Sequence, residues 1–321
     1  MRGRICAKHL KSCRPSITSK NWKMALRPKC SSSALTPFYQ SAQKDFTLYE
    51  GDAREILPRL RSRSVPMIFA DPPYFLSNDG FSIQAGKPVS VNKGAWDKSH
   101  GREADNEFNY AWIKACREVL EDSGTIWICG TFHNIFSVAN VLSELDFRIL
   151  NMITWQKTNP PPNLNCRFFT HSTEFILWAR KCKKVAHIYN YDLMHGLAGD
   201  RQMTDVWRMS AIAPWEKTCG KHPAQKPLAL VTRAILAASN RDDLILDPFA
   251  GSSTTGIAAN LLQRSFVGIE QARPFLEMSR ARRIEFDTCA ASWARRIQDL
   301  KDLSSEWACK KEETNKSINP D

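Results

Sequence analysis

The sequence predicts an α/β fold, a mostly parallel, doubly wound sheet with helices on both faces. Three observations predict it. From residue 46 onward, segments of strand character alternate with segments of helical period, the pattern of βαβ units. The strands hold short, nearly unbroken apolar runs (Met67-Ile68-Phe69, Ile126-Trp127-Ile128-Cys129, Leu244-Ile245-Leu246), as strands buried on both faces do. Two of those strands close on an aspartate, Asp71 and Asp247, where open α/β sheets bind ligands.

The elements follow in order. Residues 46–52 read as a strand and 53–60 as a short helix. Residues 65–71 are a strand, and 75–100, rich in Gly, Ser, Asn and Lys, read as a long loop. Residues 109–121 carry Trp112, Cys116, Val119 and Leu120 at helical spacing. A strand at 124–130, a helix at 134–145 and strands at 149–156 and 173–179 come next. Residues 183–224 are irregular and basic. A helix at 225–240 has Pro227 near its first turn. A strand at 243–247, a small-residue turn, a helix at 254–262, a strand at 265–270 and a charged helical stretch at 273–303 complete the pattern.

The chain has 321 residues, 43% of them hydrophobic, enough for a sizeable core. No apolar run approaches the roughly 18 residues that span a membrane. The net charge of +12 is unevenly placed. Residues 1–44 hold ten Lys/Arg and no acid, residues 155–226 hold 11 bases against 5 acids, and the rest is near neutral or acidic. Only the internal basic segment is a reason to expect a polyanion-binding surface on the folded body. Residues 1–44 read as a disordered arm. An upstream start codon with translation beginning at Met24 or later, or an organellar transit peptide, would give the same composition. The ten cysteines have no zinc-ligand spacing, so no metal is expected, and Cys116 and Cys129 read as buried apolar groups. Their scatter, without a secretory signal, fits a reducing compartment and a cytoplasmic protein.

The chemistry sits at two strand ends. Asp247 is followed by Pro248-Phe249-Ala250-Gly251-Ser252-Ser253-Thr254-Thr255-Gly256, a small-residue turn into a helix that brings backbone close to a ligand. A P-loop would need Gly-Lys-Ser/Thr here, and the dinucleotide spacing is absent. Glu270 closes the next strand, a position suited to a ribose diol. Asp71 is followed by Pro72-Pro73-Tyr74. Two prolines make the chain stiff and extended and remove two N–H donors. A carboxylate and a free carbonyl then form a two-acceptor clamp for an NH₂ group, with a ring to stack on the base that carries it.

Together these segments resemble the amino-methyltransferases of DNA. Asp-Pro-Pro-Tyr is similar to their catalytic motif and DPFAGSSTT to their S-adenosylmethionine motif; the order, catalytic motif first, resembles the β class. The stretches TWQKTNPPPNLNCRFFTHSTEFILWARK (154–181) and GKHPAQKP (220–227) are most similar to the restriction-system adenine-N6 methyltransferases acting on GATC. The likeness covers about three quarters of the chain, 45–286. It implies a Rossmann-like methyltransferase fold with the catalytic half (45–182) before the cofactor half (220–289), an inserted target-recognition segment (183–219) and a helical, polar tail (290–321). It implies adenine-N6 methylation of DNA with S-adenosylmethionine as cofactor. Asp71, Pro72, Pro73 and Tyr74 would be catalytic; Asp247, Phe249, Gly251, Ser252, Glu270, Asp52 and Lys226 would hold the cofactor. DNA, single- or double-stranded, is the implied partner, with no membrane; a cognate restriction endonuclease and a homodimer stay open. Within the segment 183–219, Arg201, Arg208 and Lys217 are candidates for phosphate or guanine contact, and Lys87, Lys93 and Trp96 of the 75–100 loop for base extrusion. Asn159-Pro160-Pro161-Pro162 reads as a rigid turn. Ser253 stands where the family has its second turn glycine, which would weaken cofactor binding if that position needs φ > 0. Cytosine-N4 methylation and a catalytically silent DNA-binding homologue remain alternatives, with RNA a weaker substrate.

Overall fold

The computed structural model describes residues 35–76, 81–84, 87–90, 97–163, 166–220 and 222–296. A nine-stranded sheet forms the centre. Its strands are β1 (Tyr39–Gln40), β2 (Phe46–Glu50), β3 (Val65–Ala70), β6 (Leu120–Gly130), β7 (Arg148–Lys157), β8 (Thr173–Arg180), β9 (Val206–Met209), β10 (Leu244–Asp247) and β11 (Ser265–Glu270), and β4 (Phe81–Gln84) pairs with β5 (Lys87–Ser90) in a separate hairpin. The helices are α1 (Ala53–Ile56), α2 (Arg102–Val119), α3 (Ile135–Glu144), α4 (Tyr191–Leu197), α5 (Leu228–Ala238), α6 (Thr254–Leu261) and α7 (Arg273–Arg296).

The sheet order is β1-β2-β11-β10-β3-β6-β8-β7-β9. The run from β2 to β6 is parallel throughout. β8 is antiparallel to both its neighbours, and β9 is parallel to β7. The fold is the expected doubly wound α/β sheet, mixed at its far side.

Side chains alternate across the strands with period two, which sorts the core into two layers. Met67 and Phe69, Trp127 and Cys129, Ile245, and Phe266 face α5, α6 and α7 in one buried cluster. Ile68 and Ala70, Ile126 and Ile128, Leu246, and Val267 and Ile269 face α2 and α3 in the other. Both faces of the central strands are therefore dry, as their unbroken apolar runs require. Across β6 and β8, Trp127 stands opposite Trp178 and stacks on it at 4.8 Å.

Four departures from the sequence reading have local causes. The arm does not reach residue 44: Phe38 N–H donates to Leu48 O, Tyr39 and Gln40 pair with β2, and the Tyr39 ring packs on Phe46. Residues 1–34 lie outside the described residues. The 75–100 loop contains the β4–β5 hairpin; Lys87 stands on β5, while Lys93 and Trp96 lie outside the described residues. α2 begins at Arg102, seven residues before its apolar period, with Glu103 and Asp105 in the first turn where the helix dipole favours acids. Residues 183–224, expected to be irregular, contain α4 and β9, whose Met194 and Trp207 belong to the main core. Helix α7 has a non-helical residue at Cys289, at the edge of the expected tail, and residues 297–321 are outside the described region. Among the described residues no helix is long and apolar enough to cross a membrane.

Candidate active site

β3 and β10 lie side by side and parallel, with Ile68 opposite Leu246. From β3 the sheet continues to β6, from β10 to β11, in opposite directions. This is a topological switch point, where the carboxyl ends of adjacent strands open a crevice. Asp71 and Asp247 leave those two ends. The crevice is a cavity of about 610 Å³. It is lined by Asp71, Pro72, Pro73 and Tyr74 and, on its other side, by Asp247, Phe249, Gly251, Ser252 and Glu270; Asp52 and Lys226 reach it as well. Every residue expected from the sequence to serve the site is therefore in one place.

On the β3 side, Asp71 is held by two donors. Lys226 Nζ lies 2.6 Å from each carboxylate oxygen, and the Tyr74 hydroxyl donates to Oδ1 at 2.8 Å. Tyr74 is buried, and its backbone N–H and that of Phe75 donate to the buried Asp97 at 2.9 and 3.0 Å. Burial and the neighbouring Asp71 and Glu174 push the Tyr74 phenol well above its ordinary value. Burial works against the Lys226 ammonium, but Asp71 and Glu174 outweigh it and hold the lysine charged. In this structure the lysine is thus the ion-pair partner of Asp71, and its ammonium lies 5.1 Å from the Tyr74 ring centre. The resemblance assigns it to the cofactor, and it lines the same cavity.

On the β10 side, Asp247 shapes the turn. Its Oδ1 accepts from Phe249 N–H at 2.9 Å and its Oδ2 from the Thr255 hydroxyl at 2.6 Å. Burial pushes its carboxyl up to about 7. Phe249 packs edge-on against Trp112 at 5.1 Å. Glu270 accepts from Gly251 N–H and Ala272 N–H at 2.9 and 2.8 Å, and burial raises its carboxyl too. Gly251 has φ +50°, and a Cβ there would sit 3.0 Å from His222 Nε2, so a side chain would be strained and would press on His222. Ser252 is anchored through its carbonyl and hydroxyl by Arg282 at 2.6 and 3.0 Å. Asp52 caps α1, accepting from Arg54 N–H at 2.8 Å, and its carboxylate is also engaged by the Arg54 guanidinium, whose hydrogen bonds hold it below the usual range.

Ser253 does take the left-handed conformation, φ +54°, expected of a glycine position. It is fully buried, and it does not line the cavity as Ser252 and Thr254 do. The cost of a serine there falls on the stability of the turn, not on cofactor contact. Three residues of the site escaped the sequence reading: Asp97, His222 and Glu174. Glu174 lies near the start of β8, with Oε1 2.6 Å from Lys157 and Oε2 3.7 Å from Lys226. It does not line the cavity but stands behind Lys226 and Tyr74, and no local pattern marks an acid at the start of a strand for such a place. Asn159 accepts from Ala211 N–H at 2.9 Å, which makes the triple-proline turn a brace toward β9.

The donor set fits S-adenosylmethionine. A glycine-floored turn opens into a helix, a carboxylate stands at the end of the neighbouring strand, and the space is large enough for a nucleoside with an amino-acid tail.

Residues 65–281 match a family model described as DNA methylase. The chain is similar to Type II methyltransferase M2.MboI of Moraxella bovis, 54% identical over 248 residues that cover 77% of this chain and 91% of that protein. It is 52% identical over 247 residues, with the same coverage, to Type II methyltransferase M2.DpnII of Streptococcus pneumoniae. Among solved structures, the complex of M1.HpyAVI with S-adenosylmethionine matches 74% of this chain and 98% of its own, with a TM-score of 0.56 and 27% identity. The cytosine-N4-specific PvuII DNA methyltransferase matches 84% of this chain and 93% of its own at a TM-score of 0.63 and 18% identity, a likeness of fold alone.

Proposed function

Because the chain belongs to the DNA methylase family, we infer that it is a site-specific methyltransferase that moves a methyl group from S-adenosylmethionine to adenine N6 in DNA, as part of a Type II restriction-modification system. The observation that carries this reading is the placement of Asp71 and Asp247 at neighbouring strand ends in one cavity. Asp71 would serve the exocyclic amine, and the turn that Asp247 shapes would serve the methyl donor.

Bound S-adenosylmethionine supplies a methyl group made electrophilic by its sulfonium. Glu270, Gly251, Ser252, Phe249 and Asp247 are the residues that would hold it, with Asp52 at the far edge. The chain's own work is on the amine. The adenine N6 lone pair is delocalised into the ring, so the amine is a weak nucleophile. Asp71 accepts one amine hydrogen and the Pro72 carbonyl the other, which favours a pyramidal nitrogen with its lone pair directed at the donor. As charge grows on nitrogen, the fixed Asp71 carboxylate stabilises it, and the proton then leaves by way of Asp71 to water. Catalysis is by positioning and preorganised charge. A base paired in a duplex cannot enter a cavity at the strand ends and must be flipped out of the stack. Tyr74 and the stiff Pro72-Pro73 segment form the wall it meets.

Target recognition falls to residues 183–219. Arg201 and Arg208 are exposed there, and Lys217 is half-buried. Phosphate contacts from such residues set register, while base contacts set the sequence read. The resemblance to GATC-directed enzymes makes GATC the target to test first, and a cognate endonuclease of the same specificity is the partner expected in the host.

The test is expression in a host lacking adenine methylation, followed by mapping of modified bases and mass spectrometry of the nucleosides. N6-methyladenine at one short motif is the expected result. N4-methylcytosine would move the enzyme to the sister chemistry, and unmodified DNA from cells holding soluble protein would reject the reading.

A further inference from the structure

Asp71 has two oxygens, and in this structure they already take three contacts from two donors: Lys226 Nζ at 2.6 Å from both, and the Tyr74 hydroxyl at 2.8 Å from Oδ1. An amine that is to donate to Asp71 joins these contacts on a carboxylate with about four lone-pair sites, and there it shares the negative charge with the Lys226 ammonium. Both donors have the same second neighbour. Glu174 Oε2 lies 3.7 Å from Lys226 Nζ and 3.5 Å from the Tyr74 hydroxyl. A shift of roughly 1 Å turns either distance into a short hydrogen bond.

Resting on the methyltransferase reading above, we propose that Glu174 is a positioning residue for the transfer, receiving the Lys226 ammonium and the Tyr74 hydroxyl when the target amine takes over Asp71. Three features support this role. Lys226 is buried, so an ammonium pushed off Asp71 without another carboxylate would be an uncompensated buried charge. Glu174 is fixed from its other side by Lys157, 2.6 Å from Oε1, so it waits in place and the lysine does the moving. Electrostatics then favours the exchange. An ammonium beside Asp71 opposes positive charge developing on the amine nitrogen, whereas the same ammonium on Glu174 leaves the full negative charge of Asp71 facing that nitrogen. Two ammonium groups and two carboxylates keep the cluster neutral before and after the exchange. Glu174 comes from β8, Lys226 from the segment before α5, and Asp71 from the end of β3, so the exchange couples three separate parts of the fold.

The test uses the full chain, DNA carrying its mapped target, and single-turnover methyl transfer at saturating S-adenosylmethionine. Glu174→Gln keeps the shape and removes the charge. It is expected to slow transfer at least about tenfold, while calorimetric S-adenosylmethionine affinity stays within about twofold of wild type. Adding Lys226→Met to Glu174→Gln removes the ammonium that would otherwise stay on Asp71, and the double variant is expected to be faster than Glu174→Gln alone. A residue that only stabilises the fold cannot be rescued by a second truncation in this way. A wild-type rate from Glu174→Gln, or a double variant no faster than the single, overturns the proposal. If Glu174→Gln fails to bind cofactor, Glu174→Asp decides: it keeps the charge but withdraws it, so an intermediate rate supports the exchange and a wild-type rate overturns it. Absence of methyl transfer from the wild-type chain to any DNA would instead sink the reading on which the proposal rests.

Discussion

Replacing Ser253 by glycine relieves a strain that the fold now carries. Ser253 sits at φ +54°, ψ +41° as the residue that opens α6. The left-handed region costs an L-residue about 1–2 kcal/mol. The side chain is fully buried and its hydroxyl has no hydrogen-bond partner among the described residues, which adds about 1–3 kcal/mol for a stranded polar group. Against this, glycine gives the unfolded chain extra freedom worth about 0.5–1 kcal/mol. The small void left behind costs up to about 1 kcal/mol. Taken at their central values these terms leave a stabilisation of about 2 kcal/mol, read as a rise in the urea midpoint of roughly 0.7 M for a slope near 3 kcal/mol/M. Tryptophan fluorescence during urea unfolding is the assay. Ser253→Ala serves as the control: it removes the hydroxyl but keeps the strained Cβ, so it should gain less than glycine. Calorimetric S-adenosylmethionine binding should stay within about twofold, because Ser253 does not line the cavity. A Ser253→Gly midpoint at or below wild type with an unchanged slope, or an alanine variant at least as stable as the glycine one, would refute the reasoning.

Burial pushes the Asp247 carboxyl up to about 7, from an ordinary 3.8 in the unfolded chain. The folded form then holds the proton more tightly, so its contribution to stability is fully present below pH 3.8 and is lost as pH rises through about 7. The loss is up to about 4 kcal/mol; the Tm of Asp247→Asn relative to wild type should therefore climb between pH 5 and 8, and a flat difference would contradict the burial argument. Gly251→Ala places a Cβ 3.0 Å from His222 Nε2 on a left-handed residue. It should destabilise the chain by about 1–2 kcal/mol and weaken cofactor binding at least about tenfold in calorimetry; wild-type affinity would show that the turn tolerates side chains. Arg208→Ala, at an exposed position of β9, should lower the slope of log affinity against log salt for DNA by about 1, and an unchanged slope would remove Arg208 from the phosphate contacts.

The parts of this molecule that were legible in the sequence are those that local chemistry decides. Apolar runs such as Leu244-Ile245-Leu246 announce strands buried on two faces, and an acid closing such a run marks the ligand edge of the sheet. That nominates Asp71, Asp247 and Glu270, and the structure gathers them with Tyr74, Phe249, Gly251 and Ser252 around one cavity. What was not legible is non-local or locally disguised. The first turns of α2 read as a polar loop because Arg102-Glu103-Ala104-Asp105 face solvent or the cavity rim and carry no apolar period. β1 hides behind a polar turn, and β9 within a basic stretch that looked wholly irregular. The Asp71–Lys226 ion pair joins residues 155 positions apart, and Glu174 meets Tyr74 across 100. No sequence window contains such pairs, so the sequence could nominate Lys226 for the pocket but not say which carboxylate it would bind.

The most direct test of the central claim, that Asp71 presents an exocyclic amine to a donor held beside Asp247, is single-turnover methyl transfer to target DNA by Asp71→Ala alongside calorimetric S-adenosylmethionine binding. A loss of at least about a hundredfold in transfer, with cofactor affinity within about threefold of wild type, is the predicted result. Transfer at the wild-type rate, or a loss fully matched by a loss of cofactor binding, would contradict it.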